Sequence, residues 1–339
     1  MSTETKSIKD ILDEVFENTE IVHFAQLYAL SDLAQERLLT FRREWQNLDT
    51  VRRRRLISAL VELAEASFEV SFDAIFRSCL QDPDAGVRTA AIEGLWENEE
   101  ISLVGPLLAA LRADPEAKVR AAAAGSLGRF VLAGELEQIE APIQARIMDE
   151  LLTTIHRAGE SIEVRRRALE SAAYTPRPEV LDALEMAYFD EDAQMRLSAV
   201  VGMGRTCDPR WADTILQEMQ SLETAMRYEA ALAAGELSLR QAVPDLAQLT
   251  EDADQQVQDA AIWALGQIGG AQAKQVLLAL YAEADDYTRE VVEEALAEQA
   301  LLAGELDFTL YAVDPDSDWD DEDLDELEDD DFWDKGGGL

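Results

Sequence analysis

Apolar positions along this chain recur in a fixed order at long intervals. An apolar residue directly followed by arginine stands at Val87-Arg88, Val119-Arg120, Val164-Arg165, Met195-Arg196 and Met226-Arg227, with Val257-Gln258 and Thr288-Arg289 as variants. Successive positions lie 32, 45, 31, 31, 31 and 31 residues apart. One unit therefore carries an insertion and the others keep step, the signature of a repeat array. Three residues after the arginine position stand Ala91, Ala123, Ala168, Ala199, Ala230, Ala261 and Val292; seven after it stand Leu95, Leu127, Ala172, Met203, Ala234, Leu265 and Leu296. Offsets of −1, +3 and +7 share one face of a helix, so the pattern predicts a packing stripe with small residues where a neighbour approaches.

The same frame places Asp84, Glu116, Ser161, Asp192, Glu223, Asp254 and Asp285 four residues before the ladder position, where an acid or serine caps a helix N-terminus. Gly128, Gly204, Gly235 and Gly266 fall eight after it and are expected to close the helix in a left-handed conformation. A second apolar segment follows, as in Val104 to Leu111, Val180 to Tyr188 and Val276 to Tyr281. Each unit is thus two helices that cannot bury both faces alone, which makes stacking obligatory. Upstream, Ile21 to Leu48 reads as a helix pair, and Val51 to Glu65 as a diverged unit with Arg53, Leu56 and Leu60 in the ladder frame. The expected division is an N-terminal helical cap over 1–46, a repeat body over 47–312 and an acidic tail over 313–339. Glu290 to Leu306, richer in charge, is expected to cap the body.

The stretches DPDAGVRTAAIEGL, DPEAKVRAAAAGSLG, AMRYEAALAAGEL and DQQVQDAAIWALGQIGG resemble HEAT-like repeats of the phycobilisome-lyase type, over roughly residues 47 to 300. The resemblance implies an all-α fold, a right-handed α-α superhelix, and a protein-binding scaffold or adaptor as the leading function. A subunit or chaperone of a chromophore-lyase-like enzyme is the alternative it implies. The family also includes the iron-dependent deoxyhypusine hydroxylase, whose repeats supply His-Glu ligand pairs. Here His23 and His156 are followed by Phe24 and Arg157, and the matching motif reads Arg227-Tyr228-Glu229, so that iron site has no ligands by this pattern. No catalytic, metal or cofactor residue is expected, and no small-molecule substrate.

Charge narrows the partners. Acids number 70 against 29 bases, for a net charge of −41. Asp314 to Asp334 holds 14 acids and no base, leaving 56 acids against 29 bases elsewhere, a net of −27. Such a field repels phosphate backbones and anionic lipid and attracts basic surfaces, so the expected partner is a protein with a basic patch, not nucleic acid or membrane. No apolar run is long enough to span a bilayer, and two cysteines, Cys79 and Cys207, 128 residues apart, suit a reducing, cytoplasmic compartment.

The ladder arginines Arg88, Arg120, Arg165, Arg196, Arg227 and Arg289 are expected to be structural, pairing with acids of neighbouring units such as Asp84, Asp192 or Asp254. Arg52 to Arg55, near Arg42 and Arg43, read first as solvated or ladder residues, with a docking site for an acidic segment as the sharper alternative. Trp96 and Trp263, placed within first helices, and Trp45 and Trp211, flanking others, are expected to pack. The tail's acid density predicts disorder. Trp319, Leu324, Leu327, Phe332 and Trp333, interleaved with those acids, are its candidate partner-binding residues.

Overall fold

The structure, a computed structural model, describes residues 6–15 and 24–302. The tail and its five candidate contact residues lie outside them, as does His23. Among the described residues there are helices and no strands. In order they are α1 (Ile8–Val15), α2 (Phe24–Leu27), α3 (Gln35–Asn47), α4 (Thr50–Ala66), α5 (Asp73–Cys79), α6 (Ala85–Glu93), α7 (Val104–Ala113), α8 (Ala117–Glu135) and α9 (Ala141–Ile155). Then follow α10 (Ile162–Ala172), α11 (Pro178–Tyr188), α12 (Ala193–Arg205), α13 (Ala212–Glu218), α14 (Thr224–Glu236), α15 (Val243–Leu249), α16 (Gln255–Ile268), α17 (Gly270–Glu283) and α18 (Asp286–Leu302).

From α4 onward the even-numbered helices carry the ladder positions and stack in one row, each on the next. The odd-numbered helices form a second row, each packed closely on the ladder helix that follows it, as α7 on α8, α11 on α12 and α15 on α16. The stripe read from the sequence is the core: Val87, Val119, Val164 and Val257 are fully buried, as are all seven residues at +3. At +7 the six residues from Leu95 to Leu265 are fully buried too.

Cap residues do what their chemistry allows. Asp84, Ser161, Asp192 and Asp254 each accept a backbone N–H from the first turn of their helix, and Asp285 accepts from Thr288. Glu116 and Glu223 hold the same place with no such bond, since glutamate is one methylene too long for the short cap geometry.

The glycines correct the sequence reading. Gly128, Gly204, Gly235 and Gly266 lie inside α8, α12, α14 and α16, and none has a positive φ. They serve close helix approach instead. A Cβ on Gly204 would stand 2.9 Å from Ala233 Cα and one on Gly235 would stand 2.9 Å from Ala264 Cα, both in the next ladder helix. The left-handed residues sit three positions further on, at Cys207 (φ 50°), Ser238 (φ 49°) and Gly269 (φ 61°).

Candidate binding face of the ladder helices

The arginine ladder is a repeated two-way tie. Arg88 donates through Nε and Nη2 to the two carboxylate oxygens of Asp114, both at 2.8 Å, and through Nη1 to the Asp82 carbonyl at 2.8 Å. Arg120 repeats this with Glu160 at 3.0 and 2.7 Å and the Asp114 carbonyl. Arg227 does so with Asp252 at 2.7 and 2.9 Å and the Ser221 carbonyl. Arg53 joins the series through Asp82 at 2.9 Å. Arg88, Arg120 and Arg227 thus each fix their own unit's loop and clamp the next unit's acid, a use that the planar fork of arginine allows and lysine does not.

The acid is not the one expected. It stands six residues before the ladder position (five for Glu160), two upstream of the cap, because the cap carboxylate is committed to the first turn of its own helix. Asp84 additionally takes Arg54 at 2.8 and 2.6 Å, and that guanidinium holds its carboxyl down at about 2. Asp192 and Asp254 pair with no ladder arginine. Each loop aspartate also accepts the N–H two residues on, as Asp114 from Glu116 and Asp252 from Asp254, while Glu160 accepts that of Ser161. Bonds from Arg227 hold Asp252 below the ordinary carboxylate range.

Three rungs are incomplete. Arg196 keeps the carbonyls of Asp190 and Glu191, but the loop position of the next unit is Ser221. Arg165, in the unit with the insertion, reaches Asp190 only at 4.0 Å and bonds the Ile155 carbonyl. Arg289 bonds the Tyr281 carbonyl and lies 3.7 Å from Asp286 of its own helix. With Arg53 and Arg54 in ladder contacts, half of the Arg52 to Arg55 group takes the ladder role.

Opposite the buried stripe, offsets +1, +2, +5 and +9 of the ladder helices line up on one face, half-buried to exposed along most of its length, with Ala121, Glu170, Ser198 and Ala260 among its buried positions. Its first part is a groove of about 500 Å³ across α6, α8 and α10. Ala121, Ala122, Gly125, Trp96 and Arg129 are among the residues that line it. Trp96 follows α6 instead of lying within it and is 48% exposed. Burial pulls the Arg129 guanidinium down to about 10; it donates to the Asn98 carbonyl and to Ser126.

The face continues with Tyr174, Leu197, Tyr228, Leu232 and Trp263, all half-buried, interleaved with charges. Arg205 stacks over the Tyr174 ring at 5.0 Å and donates to the Glu170 carbonyl. Arg166 donates to Ser198, which donates to Glu170, while Arg167 bridges Glu163 and Glu170. Burial, and then the charges of Glu170 and Glu236, push the Glu229 carboxyl up to about 7. Tyr228 and Glu229 occupy the motif where the hydroxylase pattern would need His-Glu. Among the described residues no group of three or more His, Cys, Asp or Glu could hold a metal ion.

Elsewhere, Trp45 is buried with its Nε1 on Asp82, and Trp211 is buried. Cys79 is a buried thiol pushed up to about 12 by burial, inert by that measure; Cys207 is exposed. His156 is exposed at the end of α9. No helix among the described residues is long and apolar enough to cross a membrane. The exposed face escaped the sequence reading because its positions share no residue type.

Hairpins stacked in two rows and tied by arginine rungs define an α-solenoid. The family models described as "HEAT repeats" and "HEAT repeat" match residues 212–297 and 103–133, so the chain carries HEAT repeats over those residues. The second match begins just before α7 and runs through most of α8. A unit is therefore an odd-numbered helix followed by a ladder helix, the reverse of the order in which the sequence pattern was first cut. These matches are to HEAT repeats at large; the phycobilisome-lyase likeness rests on the sequence motifs alone. No curated protein sequence matches the chain.

Among solved structures, YibA of Escherichia coli is similar at 17% identity and a TM-score of 0.43, over 70% of this chain and 95% of that one. Importin beta is similar at 16% identity and 0.45, over 87% and 46%. Human deoxyhypusine hydroxylase in complex with glycerol is similar at 16% and 0.34, over 86% and 98%. These are distant likenesses and carry no argument about what this chain does.

Proposed function

We propose that this protein is a non-catalytic scaffold that binds another protein through the exposed face of its ladder helices. The observation that carries this reading is the continuity of that face from Trp96 to Trp263, where half-buried aromatic and aliphatic side chains alternate with charges. Aromatic and arginine anchors within a polar surround are what protein-binding surfaces use, and stacked units supply the length for an extended partner.

The net charge of −27 outside the segment Asp314 to Asp334 favours a partner with a basic patch over nucleic acid, and long-range attraction of that kind speeds encounter. Trp319, Leu324, Leu327, Phe332 and Trp333, set among acids, add a second contact for the same partner, and two weak contacts on one chain multiply.

The test is capture of partners from native lysate with the wild-type chain, with Tyr228→Asp and Leu232→Asp on the face, and with Met186→Asp. Met186 is exposed on the odd-numbered row. A partner retained by wild type and Met186→Asp but lost by the face variants is the expected result. Capture indifferent to the face variants would remove the reading's support.

A further inference from the structure

The array ends at α18 with a rung half made. Arg227 of the complete rungs has a side chain 17% exposed and Arg88 one 11% exposed, whereas the Arg289 side chain is 43% exposed and, among the described residues, its ion pair is with Asp286 of its own helix. The stripe of α18 is partly uncovered, although Val292 at +3 is fully buried. The six preceding residues at +7 are fully buried, but Leu296 is only half-buried; off the stripe, near the end of the helix, Leu301 is 60% exposed. Thr288 takes the −1 place of the fully buried valines and is half-buried. This is the face on which another unit would sit.

The sequence beyond α18 has the register of that unit. In 31-residue units the ladder arginine meets its acid 25 residues on, as Arg165 faces Asp190 and Arg227 binds Asp252. Twenty-five residues beyond Arg289 stands Asp314. It opens Asp314-Pro315-Asp316, the loop sequence of Asp82-Pro83-Asp84 and, with glutamate last, of Asp114-Pro115-Glu116. Three and six residues before the loop acids stand Cys79 and Phe76, Leu111 and Leu108, and Leu249 and Leu246, all buried; before Asp314 the same places hold Tyr311 and Phe308.

We propose that residues 304–316 of this chain cover the open face of α18, with Tyr311 and Phe308 against its stripe and the Asp314 carboxylate accepting the Arg289 fork. The repeat body then extends to Asp316, and the acidic contact segment begins at Ser317. This concerns the end of the array and stands apart from the scaffold reading: the one can fail while the other holds.

Hydrogen exchange on the full-length protein tests it, with Arg289→Gln, Asp314→Asn, the double variant and Asp318→Asn as an out-of-register control. Backbone protection across 305–313 is expected in the wild type. Each single variant should speed exchange in α18 about fivefold, the scale of one partly buried charge-assisted bond. The double variant should do no more than Arg289→Gln alone, because the bond to Asp314 is already gone in it, and Asp318→Asn should match wild type. Unprotected amides over 305–313, an α18 indifferent to Asp314→Asn, or single effects that add would each overturn the proposal. So would light scattering showing a dimer in which α18 loses protection on dilution, since a second copy would then be the cover.

Discussion

The Asp114 carboxylate binds Arg88 of the preceding unit through both oxygens at 2.8 Å and at the same time accepts the backbone N–H of Glu116 in its own loop. One side chain therefore sets a loop and joins two units. Both partners are nearly buried, with side chains 11% and 9% exposed. Asp114→Asn should cost about 2–3 kcal/mol, because the guanidinium is left with a neutral partner in a site that water reaches poorly. Urea unfolding measures it. Asp84→Asn, whose Arg54 partner is 58% exposed, should cost clearly less, because asparagine caps the helix as well as aspartate does and only a solvent-screened ion pair is lost.

Ser221 is the place where the ladder lacks an acid, and Arg196 faces it with only carbonyl bonds. Ser221→Asp should restore the fork and keep the loop bond to the Glu223 N–H that the serine now accepts. The expected gain is about 1 kcal/mol, shrinking at high salt as a charge contact must. A melting temperature unmoved at low salt would show that the helices do not bring Arg196 into reach.

Close approach between ladder helices predicts a contrast between glycines. Gly235→Ala would place a methyl group 2.7 Å from the Trp263 ring and 2.9 Å from Ala264 Cα, forcing α14 and α16 apart at a cost of about 1–3 kcal/mol. Gly105 in α7 has open space around a Cβ. Gly105→Ala should stabilise by about 0.4–1 kcal/mol through helix propensity and a less free unfolded chain. Thermal unfolding of the two variants gives opposite shifts.

Two carboxylates give pH dependences of opposite sign. The Asp84 carboxyl is held down at about 2 by Arg54, so its stabilisation is complete above the ordinary carboxylate range and is lost as pH falls toward 2. The Glu229 carboxyl is pushed up to about 7, so the folded state favours its proton and stability falls as pH rises from the ordinary range toward 7. Glu229→Gln should flatten the melting temperature over that interval and raise it at pH 8. Asp84→Asn should leave the upper interval unchanged and flatten the acid limb.

Much of the architecture was readable from spacing, because a solenoid writes its core once per unit: the −1, +3 and +7 residues that recur in sequence are those that fill the interior. The errors came where two physical roles share one residue type. Asp82 and Asp84, or Asp252 and Asp254, are acids two apart, and periodicity cannot say which one caps and which one is clamped. Gly204 and Gly235 stand near helix ends, where a left-handed cap is a reasonable expectation. The contrary signal was the alanine that each meets in the next unit, Ala233 and Ala264, visible only once helices are stacked. The exposed face was illegible for a different reason: Trp96, Tyr174, Tyr228 and Trp263 share no residue type from unit to unit, so periodicity does not pick them out.

The missing acid at Ser221 also makes the array mechanically uneven. Pulled from its ends, a row of units held by equal clamps would yield anywhere, but this one should part first where no ladder arginine reaches an acid of the next unit, at Gln258 between α16 and α18 or between α12 and α14. Leu197 on α12 and Tyr228 and Leu232 on α14 lie across the second of these seams. A ligand laid along them would act as a splint, stiffening the molecule at a weak joint.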